Sequence, residues 1–200
     1  GGEVIPKAIH SHRVYGYDFD GYWEDIGTVR SFYETNISLT KPDSMFNLYD
    51  PERPIYTRPR FLPGAVIDGA TLENVLLADG CRIGRSFIKS SVIGLRSCIA
   101  DGARIVASVV MGNDYYDPPG YVHEDGIPLG IGKNCDIEGA IIDKNVRIGE
   151  GVVIRPFPRE TEVKGDAWSI RDGIVVVSKR AIIPAGTYIG PDNSHKPANA

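Results

Sequence analysis

Histidine and cysteine, the side chains that most often carry enzyme chemistry, are few and scattered in this 200-residue sequence. The histidines stand at positions 10, 12, 123 and 195, so they do not form the clustered triad that a histidine-bound metal needs. The cysteines Cys81, Cys98 and Cys135 have no CxxC spacing, which argues against a zinc site or a disulfide framework. We interpret them as small core residues, and we expect Cys81 and Cys98 to lie near each other inside the fold.

An acidic pair is a second candidate for chemistry. Glu24 and Asp25 precede Gly27-Thr28, where Thr28 is predicted to be the N-cap of a helix. A carboxylate at this place stabilises the positive end of the helix dipole. Carboxylate oxygen is also a ligand that Mg²⁺ prefers. The residues by themselves favour the helix-stabilising role for Asp25 and a solvated position for Glu24.

Composition limits the partners that the protein can have. A formal net charge of −4 gives no global basic field for nucleic acid or for an anionic membrane. Any anion site must therefore be a local cluster of cations. No apolar run approaches the ~20 residues that span a bilayer. The first residues do not have the basic-then-apolar pattern of a signal peptide.

The elements that must position these residues begin with a mixed α and β segment, residues 1–45. We predict a short helix over 3–9, a strand over 12–19, and a helix that begins after Thr28. One side of the second helix is mostly apolar, so it must pack on another surface. That surface lies either in these 200 residues or in a segment before Gly1. The apolar side of this second helix consists of Val29, Phe32, Tyr33, Asn36 and Ile37.

Residues 46–64 are predicted to form an extended, stiff linker. Prolines recur in Asp50-Pro-Glu-Arg-Pro54 and Arg58-Pro-Arg60. Each proline fixes its own φ and restrains the preceding residue to extended conformations. A polar tail, 191–200, is expected to fray at the other end of the chain.

Residues 65–190 carry the strongest pattern. Short phrases such as Asp79-Gly-Cys-Arg-Ile83 and Asp101-Gly-Ala-Arg-Ile105 recur, and aliphatic residues follow each other at steps of five or six. This period fits neither a helix nor a single strand, but it is typical of a hexapeptide β-helix. One aliphatic side chain should point inward in each unit. We expect burial of Ile83, Ile99, Ile105, Ile137 and Ile148.

One long loop, residues 112–126, interrupts the repeat. It is aromatic and acidic, and loops of this length inside compact domains are often functional. A packing role or a contact between subunits is equally compatible with its composition.

Six motifs in order resemble a known family, the ADP-glucose pyrophosphorylases (glucose-1-phosphate adenylyltransferases), most closely their plant and cyanobacterial branch. The resemblance covers nearly the whole of this chain. It corresponds to the carboxy-terminal half of the family sequence. The motifs are Gly2-Glu-Val-Ile-Pro6, Gly21-Tyr-Trp-Glu-Asp-Ile-Gly-Thr28, Pro54-Ile-Tyr-Thr-Arg-Pro-Arg60, Ser91-Val-Ile-Gly-Leu-Arg-Ser-Cys98, Met111-Gly-Asn-Asp-Tyr-Tyr116 and Ala140-Ile-Ile-Asp-Lys-Asn-Val-Arg-Ile-Gly149.

The resemblance implies a mainly β fold. A left-handed parallel β-helix over 65–190, for regulation and oligomerisation, would follow a small α/β remnant of a nucleotidyltransferase domain over 1–45. The left hand departs from the usual crossover rule and rests on the resemblance alone. Full-length members make ADP-glucose and pyrophosphate from ATP and glucose 1-phosphate, for glycogen or starch. Their glycine-rich nucleotide loop would lie before Gly1, so these residues alone are expected to be inactive.

The resemblance also implies two sites. Asp25 matches an aspartate that helps to hold Mg²⁺, which reverses the preference stated above. Lys144 and Lys179 match lysines that bind anionic effectors, and Arg60 matches an arginine of a nearby sulfate or phosphate pocket. Arg58 stands where plant sequences commonly have glutamine, and it is a possible fourth member. Family effectors are 3-phosphoglycerate, which activates, and phosphate, which inhibits.

The same resemblance implies a homotetramer. The sparse cysteines favour a reducing cytoplasm, or a plastid if the source is a plant, and the net charge favours neither a nucleic-acid nor a membrane partner. Two other readings stay open. Hexapeptide β-helices often hold acyl-CoA sites, and an acyltransferase would use a histidine between coils, for which only His123 is available in the repeat region. A β-helix can also serve as a scaffold alone.

Overall fold

The computed structural model describes residues 2–191. Two short helices and the Pro-rich segment precede a stack of strands, most of them two or three residues long. The helices are α1 (Val4–Ile9) and α2 (Val29–Ser38). The strands are β1 (Val66–Ile67), β2 (Thr71–Leu77), β3 (Arg82–Ile83), β4 (Phe87–Ile93), β5 (Cys98–Ile99), β6 (Arg104–Val106), β7 (Val109–Val110), β8 (Gly130–Ile131), β9 (Asp136–Glu138), β10 (Ala140–Ile142), β11 (Arg147–Ile148), β12 (Val153–Ile154), β13 (Trp168–Arg171), β14 (Ile174–Val177), β15 (Ile182–Ile183) and β16 (Tyr188–Ile189).

The strands wind into a parallel β-helix with three faces. The first face is the six-stranded sheet β1-β3-β5-β8-β11-β15. The second sheet covers the other two faces, with β6, β9, β12 and β16 on the second face and β7, β10 and β14 on the third face. The long strands β2 and β4 bend across the corner and contribute to both. Among the named strands of residues 2–191 all pairs are parallel except the antiparallel hairpin β13–β14, which an isolated antiparallel bridge between Val163 and Ile170 extends.

The core is a set of aliphatic ladders, one along each face. Each coil contributes one inward residue per face, directly above its equivalent in the coil before. The five isoleucines predicted to be buried are between 0% and 4% exposed, which confirms the prediction. Full burial of each such side chain contributes about 1.5–3 kcal/mol. The ladders are Ile67-Ile83-Ile99-Ile131-Ile148-Ile183, Leu72-Ile88-Ile105-Ile137-Ile154-Ile189 and Leu77-Ile93-Val110-Ile142-Val177.

The three thiols are free, as expected, but the two predicted neighbours are not both inside. Cys81 is 1% exposed in the core. Cys98 pairs in register with the exposed Arg82 and is only half-buried. Successive side chains in a strand point to opposite faces. Since Ile99 takes the inward position in β5, Cys98 must face outward.

The interrupting loop folds back on the β-helix. It starts at Gly112, whose φ is +81°, and a Cβ at this position would lie 2.1 Å from the carbonyl oxygen of Leu95. The hydroxyl of Tyr116 donates a hydrogen bond to the carbonyl of Gly80 at 2.7 Å. Asp117 forms a bidentate ion pair with the buried Arg147, at 2.8 and 2.6 Å. The loop therefore has a packing role, whatever else it does.

Helix α2 finds its partner surface on the β-helix itself. Thr28 is the N-cap and forms a reciprocal capping box with Ser31, as the sequence predicted for the start. The apolar side of α2 packs against a row of outward-pointing aliphatic side chains on the third face. Phe32, Tyr33 and Ile37 of the helix contact Val109, Ile141 and Ile174. The hydroxyl of Tyr33 also donates to the carbonyl of Ala107 at 2.6 Å.

The short helix predicted over 3–9 forms as α1, but the strand predicted over 12–19 does not form. A strand needs a neighbouring backbone to satisfy its N–H and C=O groups, and none of residues 2–191 pairs with this segment. The Pro-rich residues 46–64 contain neither helix nor strand. Within 2–191 no helix is long and apolar enough to cross a membrane.

Candidate anion site

Two lysines come together because the coils that carry them are stacked. Lys144 lies in the turn after β10, and Lys179 lies in the turn after β14. These strands are parallel neighbours, with Ile142 in register with Val177. The turns are also joined directly, since the N–H of Arg180 donates to the carbonyl of Lys144 at 2.9 Å. Residues 35 apart in sequence thus become neighbours, as expected for a solenoid.

A carboxylate lies between the two lysines. Nζ of Lys144 is 2.8 Å from Oδ1 of Asp114, and Nζ of Lys179 is 3.4 Å from Oδ2. The side-chain amide of Asn145 donates a hydrogen bond to Oδ2 at 2.9 Å. The hydrogen bond from Lys144, followed by that from Asn145, lowers the pKa of Asp114 far below its ordinary value.

Asn145 also fixes the backbone of Asp114. Its side-chain oxygen accepts the N–H of Asp114 at 2.8 Å, and its own N–H donates to the carbonyl of Gly112 at 3.2 Å. Asn145 adopts a left-handed conformation with φ of 61°, which asparagine tolerates better than most residues. The corner of one coil thus holds the first residues of the loop.

This arrangement is open to solvent. The side chains of Lys144, Lys179 and Asp114 are 36%, 48% and 42% exposed. An ion or a small ligand can therefore reach the lysines without any opening of the core.

The two linker arginines lie apart from this arrangement. Arg58 and Arg60 are both exposed, and Nη1 of Arg60 donates to the carbonyl of Arg58 at 3.0 Å. Neither forms an ion pair with a described residue. Of the four predicted cations, the structure brings only the lysines together, and the four-residue pocket stays a prediction.

The sequence did not single out Asp114 or Asn145 as part of a site. Both residues lie within motifs that carry the family resemblance. The position of Asn145 at a corner of a coil is the sequence feature that could have indicated its role. No local pattern indicated that Asp114, about thirty residues earlier, would meet it.

Asp25 stands three residues before Thr28, the N-cap of α2. Its Oδ1 accepts the N–H of Gly27 at 2.8 Å, which shapes the turn into the helix. Its Oδ2 accepts no hydrogen bond from the residues that the structure describes. The side chain is exposed, and no group of three metal-binding side chains found within 2–191 includes it.

His123, the histidine that an acyltransferase would need, pairs with Asp125 of its own loop, with Nδ1 3.1 Å from a carboxylate oxygen. An apolar groove of about 790 Å³ runs along the first face beside this loop. Arg82, Cys98 and Leu129 contribute to its lining, whereas His123 does not. Among residues 2–191, no histidine lines this groove to transfer a proton.

The fold and two family models identify the class of protein. The GLGC left-handed parallel β-helix domain matches residues 60–188, and the nucleotidyl transferase family matches residues 1–42. The chain belongs to the GLGC left-handed parallel β-helix family, which confirms the predicted hand.

A curated relative shows which enzyme this part of the family is similar to. The chain is 45% identical over 197 residues to the chloroplastic/amyloplastic small subunit of glucose-1-phosphate adenylyltransferase from Triticum aestivum. The alignment covers 94% of this chain and 42% of that protein, in its carboxy-terminal part. The chain is homologous to that subunit and spans less than half of its length.

Proposed function

We propose that this chain is the carboxy-terminal portion of a glucose-1-phosphate adenylyltransferase. The complete protein would make ADP-glucose and pyrophosphate from ATP and glucose 1-phosphate. The observation that carries the proposal is the identity of 45% across 94% of the chain, because it includes both the transferase end and the β-helix. Residues 1–45 would form the carboxy-terminal end of the catalytic domain, and residues 46–64 would link it to the β-helix. Residues 65–190 would form the β-helix domain that serves regulation and oligomerisation.

Asp25 fits a role in holding Mg²⁺. One of its carboxylate oxygens shapes the turn, and the other is available as a hard ligand. Mg²⁺ is usually held by one or two carboxylates together with substrate phosphates, so a single aspartate before a helix is sufficient from this part of the chain. The ion would neutralise charge on the phosphates of ATP.

Lys144 and Lys179 would bind an anionic effector such as 3-phosphoglycerate or phosphate. Two ammonium groups that converge on one carboxylate are suited to a phosphate group, whose oxygens accept strong charge-assisted hydrogen bonds. Arg58 and Arg60 would join when the linker is held by the catalytic domain. The assembly would be a homotetramer in the cytoplasm or in a plastid.

A chimera tests the catalytic proposal. The amino-terminal part of the Triticum aestivum subunit would be joined to this chain at the start of the aligned region. We expect the purified chimera to form ADP-glucose from ATP and glucose 1-phosphate when Mg²⁺ is present, while the 200 residues alone form none. A folded chimera without activity, beside an active wheat subunit, would contradict the proposal.

The regulatory proposal has its own test. Lys144→Ala and Lys179→Ala in the chimera should raise the concentration of activator needed for half-maximal stimulation and leave saturated turnover largely intact. Lys133→Ala is the matched control, because Lys133 also precedes an asparagine with a left-handed backbone, Asn134, but lies in a different corner, between β8 and β9. An effector response unchanged in both variants would remove these lysines from the site.

A further inference from the structure

We propose that Asp114 is a tethered occupant of the anion site. Its carboxylate takes the place between Lys144 and Lys179 that a phosphorylated ligand would take, so that binding requires this carboxylate to leave. The inference rests on the proposed anion-binding role of the two lysines, and it adds an autoinhibitory contact to that site.

The contacts of Asp114 resemble those of a bound anion. Both of its oxygens are used, Oδ1 by Lys144 at 2.8 Å and Oδ2 by Asn145 at 2.9 Å and Lys179 at 3.4 Å. No other carboxylate among residues 2–191 forms an ion pair with the ammonium group of either lysine, although Asp143 accepts the backbone N–H of Lys144 at 2.6 Å. A free anion that needs the same donors must therefore compete with Asp114.

The tether allows the exchange. The N–H of Asp114 is held by Asn145, and the next anchors of the loop follow at Tyr116 and Asp117. The side chain of Asp114 is 42% exposed, so it can rotate toward water without disturbing the core. The backbone of the loop can stay in place while the carboxylate leaves.

This competition sets a threshold for ligands. A ligand must interact with the lysines more strongly than one carboxylate does. A phosphate group carries about −1.5 to −2 charges near neutral pH and three acceptor oxygens, whereas Asp114 carries one charge. Ligands with a phosphate group can therefore displace Asp114, and monovalent anions are poor competitors. The device would keep the lysine pair insensitive to common monoanions.

The experiment measures the binding of inorganic phosphate to the 200-residue chain by calorimetry at fixed ionic strength. Asp114→Asn removes the competing charge and keeps the shape, so we expect phosphate to bind about three- to tenfold more tightly than to the unaltered chain. Asp101→Asn is the control, because it removes the same charge from a carboxylate that pairs with Arg85 instead. Its affinity for phosphate should equal that of the unaltered chain.

Two further variants assign the effect to the lysines. Asp114→Asn combined with Lys144→Ala, or with Lys179→Ala, should lose the gain in affinity. The inference is overturned if Asp114→Asn binds phosphate as the unaltered chain does, more weakly, or not at all, or if Asp101→Asn produces the same gain. Thermal unfolding of each variant checks that it is folded.

Failure of this inference can be told apart from failure of the proposed function. If Asp114→Asn binds phosphate no more tightly, yet Lys144→Ala blunts the effector response of the chimera, the site is regulatory and Asp114 merely orients the lysines. If phosphate binding rises as expected and the chimera ignores effectors, the competition stands and the regulatory proposal fails.

Discussion

Two ion pairs beside the same loop differ in how much they stabilise the fold. Asp117 and Arg147 form a bidentate pair whose arginine side chain is only 7% exposed. Asp114 and its lysines are each more than a third exposed. Solvent screens an exposed pair, whereas an unpaired buried charge is costly. The first pair therefore fixes the loop, and the second can be exchanged with little loss of stability.

Asp117→Asn should lower the free energy of unfolding by about 3 kcal/mol at neutral pH, because it leaves Arg147 buried without a counter-charge. Arg147 lowers the pKa of Asp117 below its ordinary value of 3.8. This stabilisation is therefore complete above the unfolded pKa and is lost as the pH falls through the folded pKa. The gap between the variant and the unaltered chain should be constant above about pH 5 and narrow below it.

Denaturant unfolding between pH 3 and pH 7 measures this gap. Asp125→Asn is the control, because Asp125 lies in the same loop but is exposed and pairs only with His123. A gap below about 1 kcal/mol at pH 7, or one that does not narrow in acid, would contradict the role of the pair.

Asp25→Asn in the chimera should raise the Mg²⁺ concentration needed for half-maximal activity by about tenfold or more, because a neutral amide is a poor ligand for a hard cation. Unfolding should change by less than about 1 kcal/mol, since the amide oxygen can still accept the N–H of Gly27. Activity titrations with Mg²⁺ make the measurement, and Glu24→Gln is the matched control. An unchanged Mg²⁺ requirement would leave Asp25 with the structural role alone.

At the scale of elements, each short strand is stable only as a rung of a ladder. A two-residue strand such as β11 buries one isoleucine and pairs with the coils on both sides, through β8 and β15. One coil cannot bury its own inward face, so stability is shared among neighbouring coils. A charge on one inward rung therefore affects several coils.

Ile105→Asp should unfold the β-helix domain. Ile105 is fully buried between Ile88 and Ile137, and an aspartate there would have no partner, which costs several kcal/mol or more. Val106→Asp is the control, because the next residue of β6 points outward and is only partly buried. Circular dichroism and thermal melting measure whether the Ile105→Asp and Val106→Asp variants are folded. A folded Ile105→Asp variant with an unchanged melting temperature would contradict the ladder.

At the scale of the whole molecule, the amino-terminal segment and the β-helix share a surface. Helix α2 covers an outward apolar row that includes Val109, Ile141 and Ile174. Ion pairs flank it, with Arg30 bound to Asp172 at 2.8 Å and Arg159 bound to Glu34 at 3.0 Å. A movement of the amino-terminal segment that contains α2 would therefore displace the third face. The turns that follow strands of this face carry Lys144 and Lys179.

Removal of residues 2–38 should expose this apolar row and lower the melting temperature, and the shortened protein should bind a hydrophobic dye and self-associate. Removal of residues 2–27 is the control, because it keeps α2, and α1 buries no residue. Scattering, dye fluorescence and melting curves measure the difference. Equal behaviour of the two shortened proteins would show that α2 contributes little to the third face.

The sequence alone determined the features that depend on local spacing. A period of five or six residues specifies which side chains of a solenoid point inward, so the buried isoleucines were predictable one by one. Thr28 before an apolar stripe specified where α2 begins. Quoted motifs such as Gly21 to Thr28 were enough to indicate the family.

Tertiary structure decided what depends on the path of the chain between distant residues. The strand predicted over 12–19 failed because alternation does not supply a partner, and Cys98 faced outward because Ile99 took the inward place. The docking of α2 on the third face depended on how the linker returns. Asp114 met Lys144 and Lys179 only because a loop of irregular length folds back onto stacked turns. The repeat period fixes which way each residue of a coil points, but it does not specify where an interrupting loop will lie.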